Sequence, residues 1–389
     1  MHIYTVKSGD TIFKIARKFS VSPMKIIENN ELENPDSLSV GQKLVIVTPT
    51  RTYTVRGSDN VMRICDRFDI KKRDLYLKNP YLCGKDNLYR GQLLTIKEDT
   101  APYGIAAANG YYFPKTSEER LSLCLPYLTY ISVALGLREG GEIKFALDDT
   151  DVVKRAQEGG KIPLMRIYDK DLDFDEKYAD ELILLSKTHG YKGITLAPYR
   201  AMRENREGLG AFLFRLKEKL KEYGMLLFLE ADGNGDLNIP DLCDGYAITY
   251  EKCMLPDIPS FAEGEERVMR TIASVAEPSR VYIEIPSYAY MGDEEITKSE
   301  AERLASSSRR EILYDDEKKI CHFDYNKYIG GKRESVRVRY ESPENVKSKF
   351  DLIGELGLMG ICFDIMRIPV EYLVMFESLF YPAEILGEG

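Results

Sequence analysis

The chain opens on an alternation, with Tyr4 and Val6 apolar and Thr5 and Lys7 polar, that has the two-residue period of a strand. Ile12, Ile15, Ala16 and Phe19 then fall at the spacing of one helical face, and Leu44 and Ile46 return to strand period. Between the first strand and the helix, Ser8-Gly9-Asp10 reads as a turn whose Asp can cap the helix. Strand, helix, helix, strand in about 45 residues is the prediction. The pattern recurs 49 positions later: Tyr4-Thr5-Val6 returns as Tyr53-Thr54-Val55, Ile15-Ala16 as Ile64-Cys65, and Phe19 as Phe68. Asn29-x-x-Leu32 aligns with Asn79-x-x-Leu82, and Leu38-x-x-Gly41-Gln42 with Leu88-x-x-Gly91-Gln92.

Past the polar stretch Lys97-Glu98-Asp99-Thr100, about 290 residues alternate short apolar runs with amphipathic stretches, the signature of βα units and a parallel sheet. Eight strands are predicted, at 104–112, 128–135, 162–168, 192–198, 225–231, 243–250, 280–287 and 358–364, which fits a TIM barrel with an insertion. The insertion, about 288–342, carries Glu311–Asp315, His322–Tyr325 and Arg337–Tyr340 as short antiparallel strands and is charged enough to rim the barrel mouth. The domain boundaries read 1–48, 50–98 and 101–389.

Composition narrows the functions. Lys and Arg number 54 against 63 Asp and Glu, a net charge of −9, so no basic face offers counterion release to a nucleic acid. No apolar run is long enough to span a bilayer, and the first residues lack the basic and apolar regions of a signal peptide. Seven cysteines without a C-x-x-C pair and three histidines argue against zinc, so neither metal nor cofactor is expected and the thiols read as buried or idle. Asp232-Gly233-Asn234-Gly235-Asp236 lacks the bidentate Glu of a calcium loop at its twelfth position, Cys243, and reads as a turn. Lys217, Lys219 and Lys221 read as a solvated helix face. Tryptophan is absent beside 26 tyrosines.

The repeat closely resembles the LysM module, a βααβ fold that binds N-acetylglucosamine polymers such as peptidoglycan and chitin. The resemblance implies a shallow sugar groove between the first strand–helix loop, Gly9, Asp10, Thr11 and Ile12, and the loop Asn34, Pro35, Asp36, Ser37 and Leu38. In the second copy the first loop is Ser58, Asp59, Asn60 and Val61, and the other loop is lengthened by Cys83-Gly84-Lys85-Asp86-Asn87. The competing reading gives Gly9, Asp10 and Gly41 purely turn and cap roles.

The remainder resembles the family-18 glycoside hydrolases, most closely the LysM-bearing, often spore-associated peptidoglycan N-acetylglucosaminidases, through Leu128–Ser132, Gly190–Ile194, Ala247–Glu251, Ile285–Tyr290 and the run from Val346 to Gly360. The implied fold is α/β, a TIM (β/α)8 barrel of family-18 type with a small α+β insertion, preceded by two βααβ LysM modules. That family uses one acid, ending a D-G-x-D-x-D-x-E strand motif, and lets the substrate acetamido oxygen act as nucleophile. Here the equivalent run is Lys192–Tyr199, and period-two alternation leaves Thr195, Ala197 and Tyr199 where the acids belong. A phenol of pKa about 10 is a poor acid near neutrality. Tyr250-Glu251 stands for the family's Tyr-Asp, and Asp364 aligns with the tryptophan that floors its central subsite; Tyr288 completes the implied cleft.

Carboxylates near the C-terminal ends of strands include Asp169, Asp171, Glu230, Asp232, Glu251 and Asp364. Glu230, Glu251 and Asp364 are the fallback acids. Three functions stand open: a binding protein for peptidoglycan, spore cortex or another N-acetylglucosamine polymer with a catalytically silent barrel, a hydrolase with a relocated acid, or a structural component contacting spore-coat proteins. The resemblance implies synthesis in the mother-cell cytoplasm and residence at the spore coat or cortex surface.

Overall fold

In the computed structural model, which describes residues 1–79, 82, 86–98, 102–231, 242–248, 277–285, 287–329 and 332–383, the two repeats fold into matching βααβ units. In the first, His2–Thr5 pairs antiparallel with Lys43–Ile46 around the helices Ile12–Phe19 and Pro23–Asn29. Ile12, Ile15 and Ala16 bury one helical face against Val6, Ile26, Leu44 and Ile46. In the second, Pro49–Thr54 pairs with Leu93–Glu98 around the helices Val61–Phe68 and Lys72–Leu77.

The repeat corrects two details of the sequence reading. Thr11, not Asp10, caps the first helix, because its Oγ1 lies where it can accept from the Lys14 amide, three residues on. Asp10 instead accepts from the Tyr4 hydroxyl at 2.7 Å and the Lys7 amide at 2.9 Å, and so closes the turn. Asn60 and Asp59 repeat this division, with Asp59 accepting from Tyr53 and Arg56 at 2.7 Å each. The residue equivalent to Asn79 is Asn30, not Asn29. Each side chain staples the end of the second helix to the last strand: Asn30 bonds the Ile26 and Val45 carbonyls and the Val45 amide, and Asn79 the Leu75 and Thr95 carbonyls and the Thr95 amide. Both are buried, so the bonds satisfy backbone groups that water cannot reach.

The eight predicted barrel strands are present as Gly104–Tyr112, Tyr130–Glu139, Ile162–Asp169, Gly193–Ala197, Leu226–Ala231, Gly245–Ile248, Val281–Glu284 and Gly360–Asp364. All pair in parallel, and the first closes the ring by pairing with both the second and the eighth, Asn109 opposite Tyr130 and Gly360 opposite Ala107. The second strand runs on past its predicted end and turns back as Glu142–Phe145 through Gly140 and Gly141, both at positive φ.

Between the seventh and eighth strands, the insertion is a five-stranded antiparallel sheet with the helix Lys298–Ser307 laid on it through Ala301 and Ala305. Thr297 and Glu300 form a capping box at the start of that helix. The expected segments appear as Leu313–Asp315, Ile320–Ile329 and Lys332–Glu341, joined by Ala289–Met291 and Glu294–Ile296.

The three parts are packed on one another. Val45, Val47 and Leu77 of the repeats join the hydrophobic cluster of the barrel helices. Lys25 is buried between the two units, where its ammonium pairs with Glu98 and donates to Thr95 Oγ1 at 2.9 Å. Lys43 reaches Glu344 at 2.6 Å, and Glu31 pairs with Arg120 and accepts from the Val370 amide at 2.9 Å. Among the described residues, no helix is long and apolar enough to cross a membrane.

Candidate functional site

The barrel interior is filled by side chains of one parity from each strand, and the mouth rests on that packing. Ala107, Leu164, Phe228, Ala247, Tyr282 and Cys362 form a buried apolar layer. At the level of Asn109, a small polar cluster adds to it: Ser132 Oγ donates to Asn109 Oδ1 at 3.0 Å and lies 3.0 Å from Thr195 Oγ1. Thr195 therefore points inward. Ala197 is fully buried two residues further on, and Tyr199 opens the short helix Tyr199–Glu204 at the end of the fourth strand.

Tyr199 donates its hydroxyl to Glu230 Oε2 at 2.6 Å. Glu230 comes from the fifth strand and is gripped by Arg166 of the third, with Nη2 on Oε2 at 2.7 Å and Nε on Oε1 at 2.5 Å. This fork matches the planar carboxylate and gives charge-assisted bonds. The guanidinium also sits 5.5 Å from the ring centres of Tyr111 and Phe113. Burial disfavours the Arg166 cation, but the Glu230 charge outweighs it and holds the proton firmly on. Burial, reinforced by the Glu230 charge, pushes the Tyr199 phenol well above its ordinary value. The Glu230 carboxylate thus accepts three bonds, two of them from a cation.

Asp364 ends the eighth strand, opposite Tyr111. Its Oδ1 accepts from the Met366 amide at 2.8 Å, and Arg367 Nε stands 3.9 Å from Oδ2. Burial raises its pKa against those stabilising groups. Arg367 also bonds Glu295 of the insertion and lies 4.7 Å from the centre of the Tyr288 ring, so one cation ties the barrel, the insertion and that tyrosine together.

Glu284 ends the seventh strand opposite Cys362, half-buried, while the sequence pattern singles out the Ile285–Tyr290 motif after it. Arg166 was missed as well. The inward parity of Leu164 and Arg166 on the third strand is the signal that points to it. Asp169 and Asp171 serve the hairpin instead: Asp169 accepts from Tyr178 at 2.8 Å beside Arg138, and Asp171 accepts from the amides of Gly140 and Gly141. Tyr250, Glu251 and Asp232 lie outside the described residues, as does the turn reading of Asp232–Asp236. Lys217 pairs with Asp244, and Lys219 with Glu176 and Asp180.

In the repeats, Gly9, Thr11, Asp36, Ser58 and Asn60 are exposed, Asp10, Pro35, Leu38 and Asp59 half-buried, and Ile12 and Val61 core residues. The side chains of Asp10, Thr11, Asp59 and Asn60 are spent on turns and caps. What these loops can offer a ligand is backbone, held in fixed positions by those side chains. The loop Asn34–Leu38 abuts the insertion helix, where Ser306 Oγ donates to the Ser37 carbonyl at 2.6 Å.

Comparison with known proteins agrees with this architecture. The LysM domain family matches residues 4–47. The cortical fragment-lytic enzyme of Bacillus anthracis is 24% identical over 411 residues, covering 93% of this chain and 94% of that protein. The crystal structure of the Bacillus megaterium QM B1551 spore cortex-lytic enzyme SleL superposes with a TM-score of 0.75 at 21% identity, over 99% of each chain. A chitinase from Chromobacterium violaceum ATCC 12472 covers 70% of this chain and 98% of its own, with a TM-score of 0.62 at 14% identity. Residues 4–47 are thus a LysM domain, and the chain as a whole has the LysM-bearing, family-18-type TIM-barrel fold of the spore cortex-lytic proteins.

Proposed function

We propose that this protein binds an N-acetylglucosamine-containing wall polymer, peptidoglycan of the spore cortex being the foremost, through its two βααβ units, and that its barrel does not hydrolyse that polymer. The observation that carries the second half is the filled acid position. The family-18 resemblance aligns Tyr199 and Ala197 with that family's acids, and Tyr199 is engaged with the Arg166–Glu230 pair. The LysM match and the relatives' names support the first half. The test is incubation with cortex fragments and chitin oligomers. Retention on the polymer without release of reducing ends is expected, and turnover abolished by a single point substitution would overturn the reading.

A second reading has a specific observation behind it. Asp364 is buried at the mouth with its pKa raised, as a general acid needs, and the Bacillus anthracis relative is named a lytic enzyme. Should reducing ends be released, Asp364→Asn is the variant that decides whether this carboxyl supplies the proton. Residence at the spore cortex or coat belongs to the same proposal, and a fluorescent fusion followed through sporulation tests it.

A further inference from the structure

The second βααβ unit does not lie flush on the barrel. Its second helix, Lys72–Leu77, is separated from the helices that follow the first and second barrel strands by a cleft of about 570 Å³. That is a volume typical of small-molecule sites. Lys72, Arg73, Arg155 and Lys161 line it, and Glu158 is the one carboxylate among its described lining residues. In a chain of net charge −9 this is a local reversal of sign. The remaining walls are supplied chiefly by Tyr76 and by Leu125 and Pro126 of the turn before the second strand.

The cations are held in place rather than waving in solvent. Arg73 Nε donates to the Pro126 carbonyl at 2.9 Å, and Lys161 Nζ donates to the Leu128 carbonyl at 2.7 Å, so one turn of the barrel anchors both. Arg155 is fixed by Ser122 at 2.6 Å, with Asp151 at 3.9 Å, and Lys72 pairs at the rim with Asp86 at 3.0 Å. Lys161 is nine-tenths buried and spends one of its three N–H groups on that carbonyl. Burial, with the like charge of Arg73, pulls its pKa down to about 7, and no carboxylate among the described residues pairs with its ammonium. An ammonium desolvated beside an arginine is stabilised by any anion that enters.

We propose that this cleft is a carboxylate-binding subsite that takes the acidic peptide part of the wall polymer whose sugars the neighbouring unit reads. The assignment rests on the glycan-binding reading and extends it to a second chemical feature of the same ligand. The cleft adjoins Asp86, which both Lys72 and Tyr76 contact and which in sequence falls in the counterpart of the first unit's second groove loop. Its half-apolar wall suits a peptide better than a bare phosphate chain. A polymer bearing both acetamido sugars and carboxylates meets the two surfaces together.

Titration calorimetry on the full chain tests this with three probes: an N-acetylglucosamine pentamer, a muropeptide with free stem carboxylates, and the same muropeptide methyl-esterified. The free acid is expected to bind about tenfold more tightly than the ester. Lys161→Met and Arg155→Gln are each expected to bring that ratio close to one and leave pentamer affinity unchanged; Arg155→Gln, at the rim, keeps the test open should Lys161→Met fail to fold. An unchanged ratio in both variants overturns the proposal, and so does displacement of the muropeptide by inorganic pyrophosphate but not by the free stem tripeptide. A pentamer that does not bind at all sinks the glycan reading instead, and the tripeptide titration still decides the cleft.

Discussion

Tyr199, at the end of the fourth barrel strand, gives its hydroxyl hydrogen to Glu230 across 2.6 Å. Tyr199 follows the fourth strand, Glu230 lies on the adjacent fifth, and Arg166 of the third completes them from the other side. Three donors from two neighbouring residues thus converge on one buried carboxylate.

Removing the cation from that arrangement leaves a carboxylate buried without a counter-ion. Arg166→Met is therefore expected to cost about 3–5 kcal/mol in urea unfolding, and the double variant Arg166→Met with Glu230→Leu to recover most of it. Tyr199→Phe, which deletes one bond to a charged group, should cost about 1.5–3 kcal/mol and leave polymer retention intact. Parent-like stability of Arg166→Met would remove the pair from its structural role.

Gly9 and Gly41 separate conformation from packing. Both have positive φ, 81° and 85°, but a Cβ on Gly9 meets nothing within 4 Å, whereas one on Gly41 would stand 1.8 Å from the Ile312 carbonyl oxygen. Gly9→Ala is expected to cost about 1–2 kcal/mol from the left-handed backbone alone. Gly41→Ala should cost more and should also loosen the insertion from the first unit, because Ile312 donates its amide to the Val40 carbonyl at the same point. Limited proteolysis of the 297–319 region reads that loosening; equal protection in the two variants would contradict it.

Glu28 supplies a pH signature. Burial raises its pKa from 4.5 to about 7, against the pull of Lys25, and one of its carboxyl oxygens is buried without a partner. A raised acid favours the folded state below its unfolded pKa, and that contribution is lost as pH rises from 4.5 through 7. Glu28→Gln should therefore gain on the parent over that window by about 1–2 kcal/mol, an amount reduced for partial exposure. Thermal melts at pH 5 and pH 8 that show a constant difference would refute the assignment.

Most of the architecture was legible because it is written in periodicities. The helical face of Ile12, Ile15 and Ala16, and the apolar runs around Leu164, Ile194 and Leu227, announce elements whose burial is local. The inward placement of Thr195 and Ala197 was legible for the same reason, since strand parity fixes which residues face the interior. What could not be read were relationships across the ring and between the parts. The Arg166–Glu230 pair joins residues 64 positions apart, and Lys25 finds Glu98 at a separation of 73. No local pattern predicts partners that only closure of the barrel and docking of the units bring together. Asp10 shows the smaller limit: a turn residue and a cap residue one position apart have the same chemistry and differ only in which amide they reach.

The buried Lys25 has a consequence for how the two repeats are held together. Its ammonium belongs to the first unit and its partners Glu98 and Thr95 to the second, so the units cannot pivot without stranding a charge. Glu31 and Lys43 tie the first unit to the barrel side as well, so these ion pairs link all three parts. Flexible tandem modules accept many spacings and lose effective concentration as their linker lengthens. On the proposed glycan reading, two units held at one spacing would reserve avidity for strands whose sugars fall into step with it.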